Sequence, residues 1–455
     1  MGDNARLFFN SNNGEDTLHG RISLSEEQLT YARERKDALL GHLKPELRSA
    51  LGIDVRHWLQ GSYKNHTLIA PVRKGEEFDI DVGVYLLCHA DNEGLDAGDA
   101  KQLNRDILTE FATNSGTATI DESKARCERI RYPGSFHIDV PLYYIDEATD
   151  VCRLATNAEG WIDSDPKEFQ DWFDRAVQHY SDLELGKLRR VIRYLKAWSC
   201  LKWPKQKDRP SSIALTVLVA QHFDNSDEDD DAYCGTVAAI ADAFDTDQEV
   251  LSPINGDDLL GLDKTQTDDV RAKLNGLKSA CDFIRESSDP VEQYAIWTGI
   301  FEHLFPPLKE SQNQVASLQN LPAITRPPRI GVRHLDKSKR ELSNSVTDRI
   351  RPFKGEHLYF RVDNRSDYGP TARVHWLVRN REKEASLVND LGHTSIHSLD
   401  YEQYESCAYR GKHYMECMII DNAQLHGFGW VEVSIQGFPR PLRNPPKKRH
   451  YTGRR

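Results

Sequence analysis

Phe78-Asp79-Ile80-Asp81-Val82-Gly83-Val84 is the stretch on which the reading of this chain turns. Its period-two alternation marks a strand, with Asp79 and Asp81 on one face and Phe78, Ile80, Val82 and Val84 on the other. A D-x-D pair taken alone reads as acidic decoration on a half-buried strand. Two other features change that reading. Gly61-Ser62 lies a short distance upstream, and a third acid, Asp139, sits inside the equally apolar Phe136-His137-Ile138-Asp139-Val140-Pro141-Leu142. There Ile138, Val140 and Leu142 define the core face and leave Asp139 on the opposite side. If the two strands are neighbours, the three carboxylates converge, and close like charges raise one another's pKa. Two Mg2+ ions about 3.5–4 Å apart, with Mn2+ as the alternative ion, would neutralise them and align an attacking hydroxyl with an α-phosphate. Asp79 and Asp81 are then expected to hold both ions, and Asp139 to complete the one that activates the hydroxyl. Gly61 would let the backbone approach a phosphate, and the Ser62 hydroxyl with the following amides could hydrogen-bond triphosphate oxygens.

Working outward, the pattern predicts a long helix from Ser23 to about Leu51, N-capped by Ser25 with Gln28 three residues on, and broken near Pro45. RHWLQGSY and a short helical stretch precede the D-x-D strand, and a helix is expected between Gly98 and Ser115. RCERIRYPG and SFHIDVPLYYID read as two strands joined by a Pro-Gly turn. Residues 1–165 thus form an α/β core. Helical stripes at 168–182, 185–201, 211–223, 232–245, 267–287 and 290–305 make 166–320 a helical domain. The proline-rich 321–339 reads as a linker. EHLYFRVDN, ARVHWLVRN, HYMECMIID and GWVEVSIQG then give 340–440 the character of a small β-sandwich, followed by a basic tail at 441–455. The fold class is α+β.

Bulk composition narrows the function. A net charge of −12 argues against broad electrostatic capture of nucleic acid, although a local basic cleft is compatible with it. Eight cysteines without a C-x-x-C pair suggest neither a zinc knuckle nor a disulfide framework, so reduced thiols in a cytoplasm are expected. There is no apolar run long enough to span a bilayer, and MGDNARLFFNSNNGED lacks the pattern of a signal peptide, so no membrane association is expected.

Gln60-Gly61-Ser62, the D-x-D pair and Asp139 resemble the polymerase-β-like nucleotidyltransferase superfamily, and more narrowly the bacterial cyclic-oligonucleotide synthases called CD-NTases. Val191-Ile192-Arg193-Tyr194-Leu195-Lys196-Ala197-Trp198, followed by Ser211-Ser212-Ile213-Ala214-Leu215, is similar to that family's lysine helix and serine-led helix. The resemblance implies a nucleotidyltransferase core with an oligoadenylate-synthetase-like helical domain, with Lys196 on the donor triphosphate and Ser211 or Ser212 nearby. The spacing agrees, since Arg189, Arg193 and Lys196 share a helical face, and a solvated face paired with acids is the ordinary alternative. It also implies nucleoside triphosphate substrates (ATP, GTP or others), a cyclic di- or tri-nucleotide product read by a separate effector protein, and a place in antiphage defence. The β-rich end resembles a C-terminal sensor domain, which implies a regulatory ligand or partner there. The chain departs from many relatives where Lys64-Asn65-His66-Thr67 replaces a Gly-Thr.

Two rivals stand beside this reading: a linear oligonucleotide product or transfer to an RNA or protein acceptor, and a catalytically quiet binding module. His393 and His397 have metal-pair spacing but lie among strand-like residues, and Asp227 to Asp231 read as a solvated loop without the spacing of a calcium site.

Overall fold

The computed structural model describes residues 4–11, 16–88, 95–146, 148–149, 151–307, 327–380, 382–421 and 424–437. The chain divides into two compact units, Met1–Leu321 with Leu387–Asp390, and Pro322–Ser386 with Leu391–Arg455.

The first unit is built on an eight-stranded sheet. Its strands are β1 (Asp54–Gln60), β2 (Phe78–Cys88), β3 (Thr119–Ile120), β4 (Glu128–Tyr132), β5 (Phe136–Val140), β6 (Leu142–Asp146), β7 (Val151–Ala155) and β8 (Trp161–Asp163). The segment read as one strand from Ser135 to Asp146 is two, because Pro141 has no N–H to give the ladder. β5 and β6 both run parallel to β2, on either side of that break, and Val84 donates its N–H to the Pro141 carbonyl at 3.0 Å. One face of β2, with Phe78, Ile80, Val82, Val84 and Leu86, is buried in the main core.

Before the sheet come α1 (Ala5–Phe8), α2 (Leu18–Ile22) and α3 (Glu26–Leu51), and α4 (Gly61–Lys64) and α5 (Ala97–Ser115) follow within it. α3 opens with the expected capping box of Ser25 and Gln28. It does not break at Pro45, which is a correction to the sequence reading. Pro45 lies on the exposed side, where water can take the carbonyl that the ring leaves without a partner, while Leu39, Leu40, Leu43 and Leu47 anchor the buried stripe.

Six α-helices follow among the described residues: α6 (Pro166–Val177), α7 (Asp182–Lys202), α8 (Ser212–His222), α9 (Asp229–Asp247), α10 (Lys264–Glu286) and α11 (Pro290–Phe301). Two details differ from expectation. Phe8 of α1 inserts among Tyr194, Tyr233, Trp297, Phe301 and Phe305, with ring centroids 4.6–6.3 Å apart, so the first residues pack with these helices and not with the sheet. Asp229 and Asp230, read as part of a solvated loop, instead open α9 and are buried; Asp229 takes a two-point ion pair from Arg190 at 2.7 Å and a hydrogen bond from Tyr194 at 2.7 Å.

The second unit has nine strands among its described residues: β9 (Ile330–Leu335), β10 (Glu341–Val346), β11 (Arg349–Ile350), β12 (His357–Val362), β13 (Arg373–Arg379), β14 (Gly392–Ser398), β15 (Gln403–Ser406), β16 (Gly411–Asp421) and β17 (Gln424–Ile435). They form sheets ordered β10-β9-β12-β15 and β11-β17-β16-β13-β14. Val332, Leu358 and Phe360 of one meet Val374, Trp376, Cys417 and Val431 of the other in a shared core, the arrangement of a β-sandwich. β9 falls inside the segment read as a linker: its Ile330 and Val332 are apolar, but the prolines before it masked the alternation. His393 and His397 lie on β14, not on a helix; His393 pairs with Glu405 at 2.9 Å and His397 stacks on Tyr401.

Candidate active site

Strand register assembles the site. Parallel pairing sets Asp79 beside His137 and Asp81 beside Asp139, and the antiparallel β4 sets Arg131 across from His137 and Arg129 across from Asp139. Side chains on one face recur every second residue. The exposed face of the sheet therefore carries two adjacent rows: Asp79, His137 and Arg131, then Asp81, Asp139 and Arg129. The strands expected to be neighbours are neighbours, and all three acids share one face.

Their electrostatics follow. Burial pushes the Asp81 carboxyl up to about 7, reinforced by the charges of Asp79 and Asp139. Asp139 is answered differently. Arg129 donates to its two oxygens from Nε and a terminal nitrogen at 2.6 and 2.7 Å, and the Lys124 ammonium stands 3.8 Å away. Among the described residues no three His, Cys, Asp or Glu side chains are grouped as a ready metal site. The donor set nevertheless fits a hard divalent cation. It offers three carboxylates on one sheet face, one of them raised toward its neutral form by burial and further by the charges of the other two, a repulsion that a cation relieves. In the neighbouring row Glu77 accepts from Arg131, from the Gly134 N–H at 3.2 Å, and lies 3.4 Å from His137 Nδ1. Burial, then Arg129, lowers the His137 pKa.

Gly61 begins α4 with φ at +61°, and a Cβ there would stand 2.2 Å from Asp81 Oδ2. Only glycine lets this turn lie against the carboxylate. Gln60 crosses over Gly83, whose Cβ would fall 2.1 Å from its amide nitrogen, and donates to the Tyr85 hydroxyl at 2.7 Å. From α7, the buried Lys196 ammonium reaches the Thr67 carbonyl at 3.3 Å and hydroxyl at 3.2 Å. Burial lowers its pKa to about 8, against the pull of Asp79. Ser211 and Ser212, equivalent in the sequence, separate here. Ser211 caps α8, accepting from Ala214 N–H at 3.1 Å and donating to the Leu259 carbonyl at 2.7 Å, whereas Ser212 is exposed. Arg193 lines neither cavity described below. It donates to the His66 carbonyl at 2.6 Å and sits 2.7 Å from His19 Nε2, bracing the residues after α4, where His66 has φ of 58°.

Two cavities meet at Asp79, one of them also reaching Asp81. One of about 460 Å³ includes Trp58, Gln60, Asp81 and Phe169 in its walls; the other, about 770 Å³, includes Arg129, Arg131, His137 and Lys207. Ser62, Thr67, Asp79, Lys196 and Ser212 border both. Each volume lies in the range of small-molecule sites. Sequence reasoning missed Arg129, Glu77 and Thr67. Arg129 was within reach, because Arg129 and Arg131 alternate in the strand that the Pro-Gly turn folds back onto Asp139.

Comparison with known proteins agrees with this geometry. Residues 55–143 match the family model for the cyclic GMP-AMP synthase DncV-like nucleotidyltransferase domain, 186–291 that for the cyclic GMP-AMP synthase C-terminal domain, and 315–436 that for the adenylyl/guanylyl and SMODS C-terminal sensor domain. A cyclic GMP-AMP synthase of Escherichia albertii is 36% identical over 432 residues, spanning 94% of this chain and 96% of that one. A c-di-GMP synthase of Roseivirga ehrenbergii is 26% identical across 43% of this chain and 56% of its own length. In fold, the Vibrio cholerae dinucleotide cyclase solved with ATP, GTP and 5MTHFGLU2 superposes with a TM-score of 0.58 at 19% identity, covering 68% of this chain and 98% of that one. The chain belongs to the DncV-like CD-NTases and is a bacterial nucleotidyltransferase with an appended sensor-type domain.

Proposed function

We propose that this enzyme condenses two nucleoside triphosphates, ATP and GTP, into a cyclic dinucleotide. The observation that carries the reading is that Asp79, Asp81 and Asp139 share one face of two paired strands, beside two cavities that have Asp79, Lys196 and Ser212 in common. The relative matched over nearly the whole chain bears the name cyclic GMP-AMP synthase, which supports the choice of bases.

In each transfer, a ribose hydroxyl of the acceptor attacks the donor α-phosphorus. A new P–O bond forms as the hydroxyl gives up its proton to solvent, the bond from the α-phosphorus to the bridging oxygen breaks, and pyrophosphate leaves with the electron pair. A second transfer, with the roles exchanged, closes the ring. Lys196, Ser62 and Ser212 would hold the donor triphosphate where the two cavities meet, and Gly61 keeps α4 against Asp81. Gln60 positions this wall through Tyr85. Arg193 acts through His66, positioning the segment between α4 and Thr67. Asp79, Asp81 and Asp139 would hold two divalent ions, Mg2+ or Mn2+, which when bound neutralise the carboxylates and stabilise charge on the reacting phosphate. The sensor-type unit would take a regulatory ligand or partner, and the product would act on a separate effector protein in antiphage defence within a bacterial cytoplasm. No helix among the described residues is long and apolar enough to cross a membrane.

The test is incubation with ATP, GTP and Mg2+ or Mn2+, followed by mass analysis of phosphatase-resistant products. A cyclic dinucleotide containing one A and one G supports the assignment. A linear oligonucleotide or a labelled RNA or protein acceptor would replace it, and ATP failing to bind a folded protein would favour a quiet binding module.

A further inference from the structure

Of the three carboxylates, Asp139 alone is held at both oxygens by a guanidinium, Arg129, at 2.6 and 2.7 Å. The same Arg129 forms part of the wall of the 770 Å³ cavity, together with Arg131 and Lys207. A guanidinium fork matches two phosphate oxygens as well as two carboxylate oxygens. Arg129 therefore stands between two alternative anionic partners: the acid behind it, and any phosphate brought into the cavity in front.

We propose that Arg129 is an exchangeable counter-ion that holds Asp139 until the acceptor nucleoside triphosphate arrives, then transfers its fork to a phosphate of that nucleotide and frees Asp139 to ligate a cation. This rests on the assignment of Asp139 as a metal ligand made above. Lys124 does not duplicate the role, since it makes one contact at 3.8 Å and is more exposed than Arg129, 38% against 18% of the side chain. The consequence is coupling. Cation and acceptor each favour the other's binding, as any linkage requires. The hydroxyl-activating position is then completed only when an acceptor hydroxyl is present, which protects a bound triphosphate from attack by water.

Mn2+ binding to the full-length, nucleotide-free protein, followed by electron paramagnetic resonance, tests this. Arg129→Lys keeps the positive charge but loses the two-point fork, so charge alone leaves cation affinity unmoved. Loss of the competing hydrogen bond should tighten Mn2+ binding roughly fivefold. Arg129→Gln removes both contacts and should tighten it further. If both variants bind Mn2+ no more tightly than wild type, Arg129 is a fixed support for Asp139 and the exchange is refuted. Asp139→Asn, made in the Arg129→Lys background, separates the two ideas. If Arg129→Lys tightens Mn2+ binding and Asp139→Asn does not take that gain away, Asp139 is not the cation ligand and the underlying assignment fails. If Asp139→Asn weakens Mn2+ binding while Arg129→Lys shows no gain, only the exchange fails. Thermal melting of each variant checks folding, and Arg129→Lys carries the test if Arg129→Gln does not fold.

Discussion

Asp81→Asn should stabilise the metal-free protein at pH 8 while abolishing its activity. Asp81 carries the most strained charge of the site, with its carboxyl raised from 3.8 to about 7 by burial and by the neighbouring Asp79 and Asp139. A carboxyl raised on folding favours the folded state while it is protonated. That contribution is complete below about pH 4 and is lost as the pH climbs through about 7. The full rise corresponds to about 4 kcal/mol between the two protonation states. Asp81 keeps some contact with solvent and the repulsion is shared among three acids, so roughly half of that, about 2 kcal/mol, is the expected gain from a neutral isostere at pH 8. The assay is urea unfolding of wild type and variant in chelator at pH 5 and pH 8. Wild type should lose stability between the two relative to the variant, and added Mg2+ should restore it to wild type alone. A variant no more stable than wild type at pH 8, with the same pH dependence, would refute the reasoning.

Four other outcomes are expected. Gly61→Ala places a methyl 2.2 Å from Asp81 Oδ2 on a backbone with φ of +61°, so it should cost about 1–2 kcal/mol in a melting experiment and remove product formation. Lys196→Met keeps the buried aliphatic stem but loses the ammonium, so nucleotide titration should show weakened triphosphate binding; in wild type, binding should weaken above about pH 8 as Lys196 gives up its proton. Arg193→Ala should raise the KM for nucleotides by loosening the His66 segment, while Mn2+ affinity measured without nucleotide stays at the wild-type value. In the second unit, Arg379→Ala leaves Glu416 buried without its 2.8 Å partner and should destabilise that unit by about 3–5 kcal/mol in denaturant unfolding.

Much of this was legible because strand periodicity and chemistry coincide at the D-x-D stretch. The same alternation that buries Ile80 and Val82 forces Asp79 and Asp81 to the other face, and Ile138 and Val140 do the same for Asp139. What stayed hidden depends on partners distant in sequence. The register that puts Arg129 against Asp139 cannot be read from either strand alone, and the hydrogen bond that sets Ser211 apart from Ser212 goes to the Leu259 carbonyl, far along the chain. Arg193 shares a helical face with Lys196, yet the roughly 60° between them around the helix sends it to His66 and His19 and away from the cavities. Pro45 misled because a proline signals a break only where the lost hydrogen bond is buried; on a solvated side of a well-anchored helix it is tolerated. In the second unit the prolines before Ile330 hid β9, and the polar Glu341–Val346 hid β10, every residue of which is exposed.

The central claim is that three acids on two adjacent parallel strands act as one unit in joining two nucleotides. Its most direct test is a time course of pyrophosphate release and dinucleotide formation from ATP and GTP with Mg2+ or Mn2+, comparing wild type with Asp79→Asn, Asp81→Asn and Asp139→Asn. We expect two pyrophosphates for each cyclic product in wild type, and loss of both signals to a similar depth in all three variants; an Asp139→Asn enzyme that turned over at the wild-type rate would contradict the account.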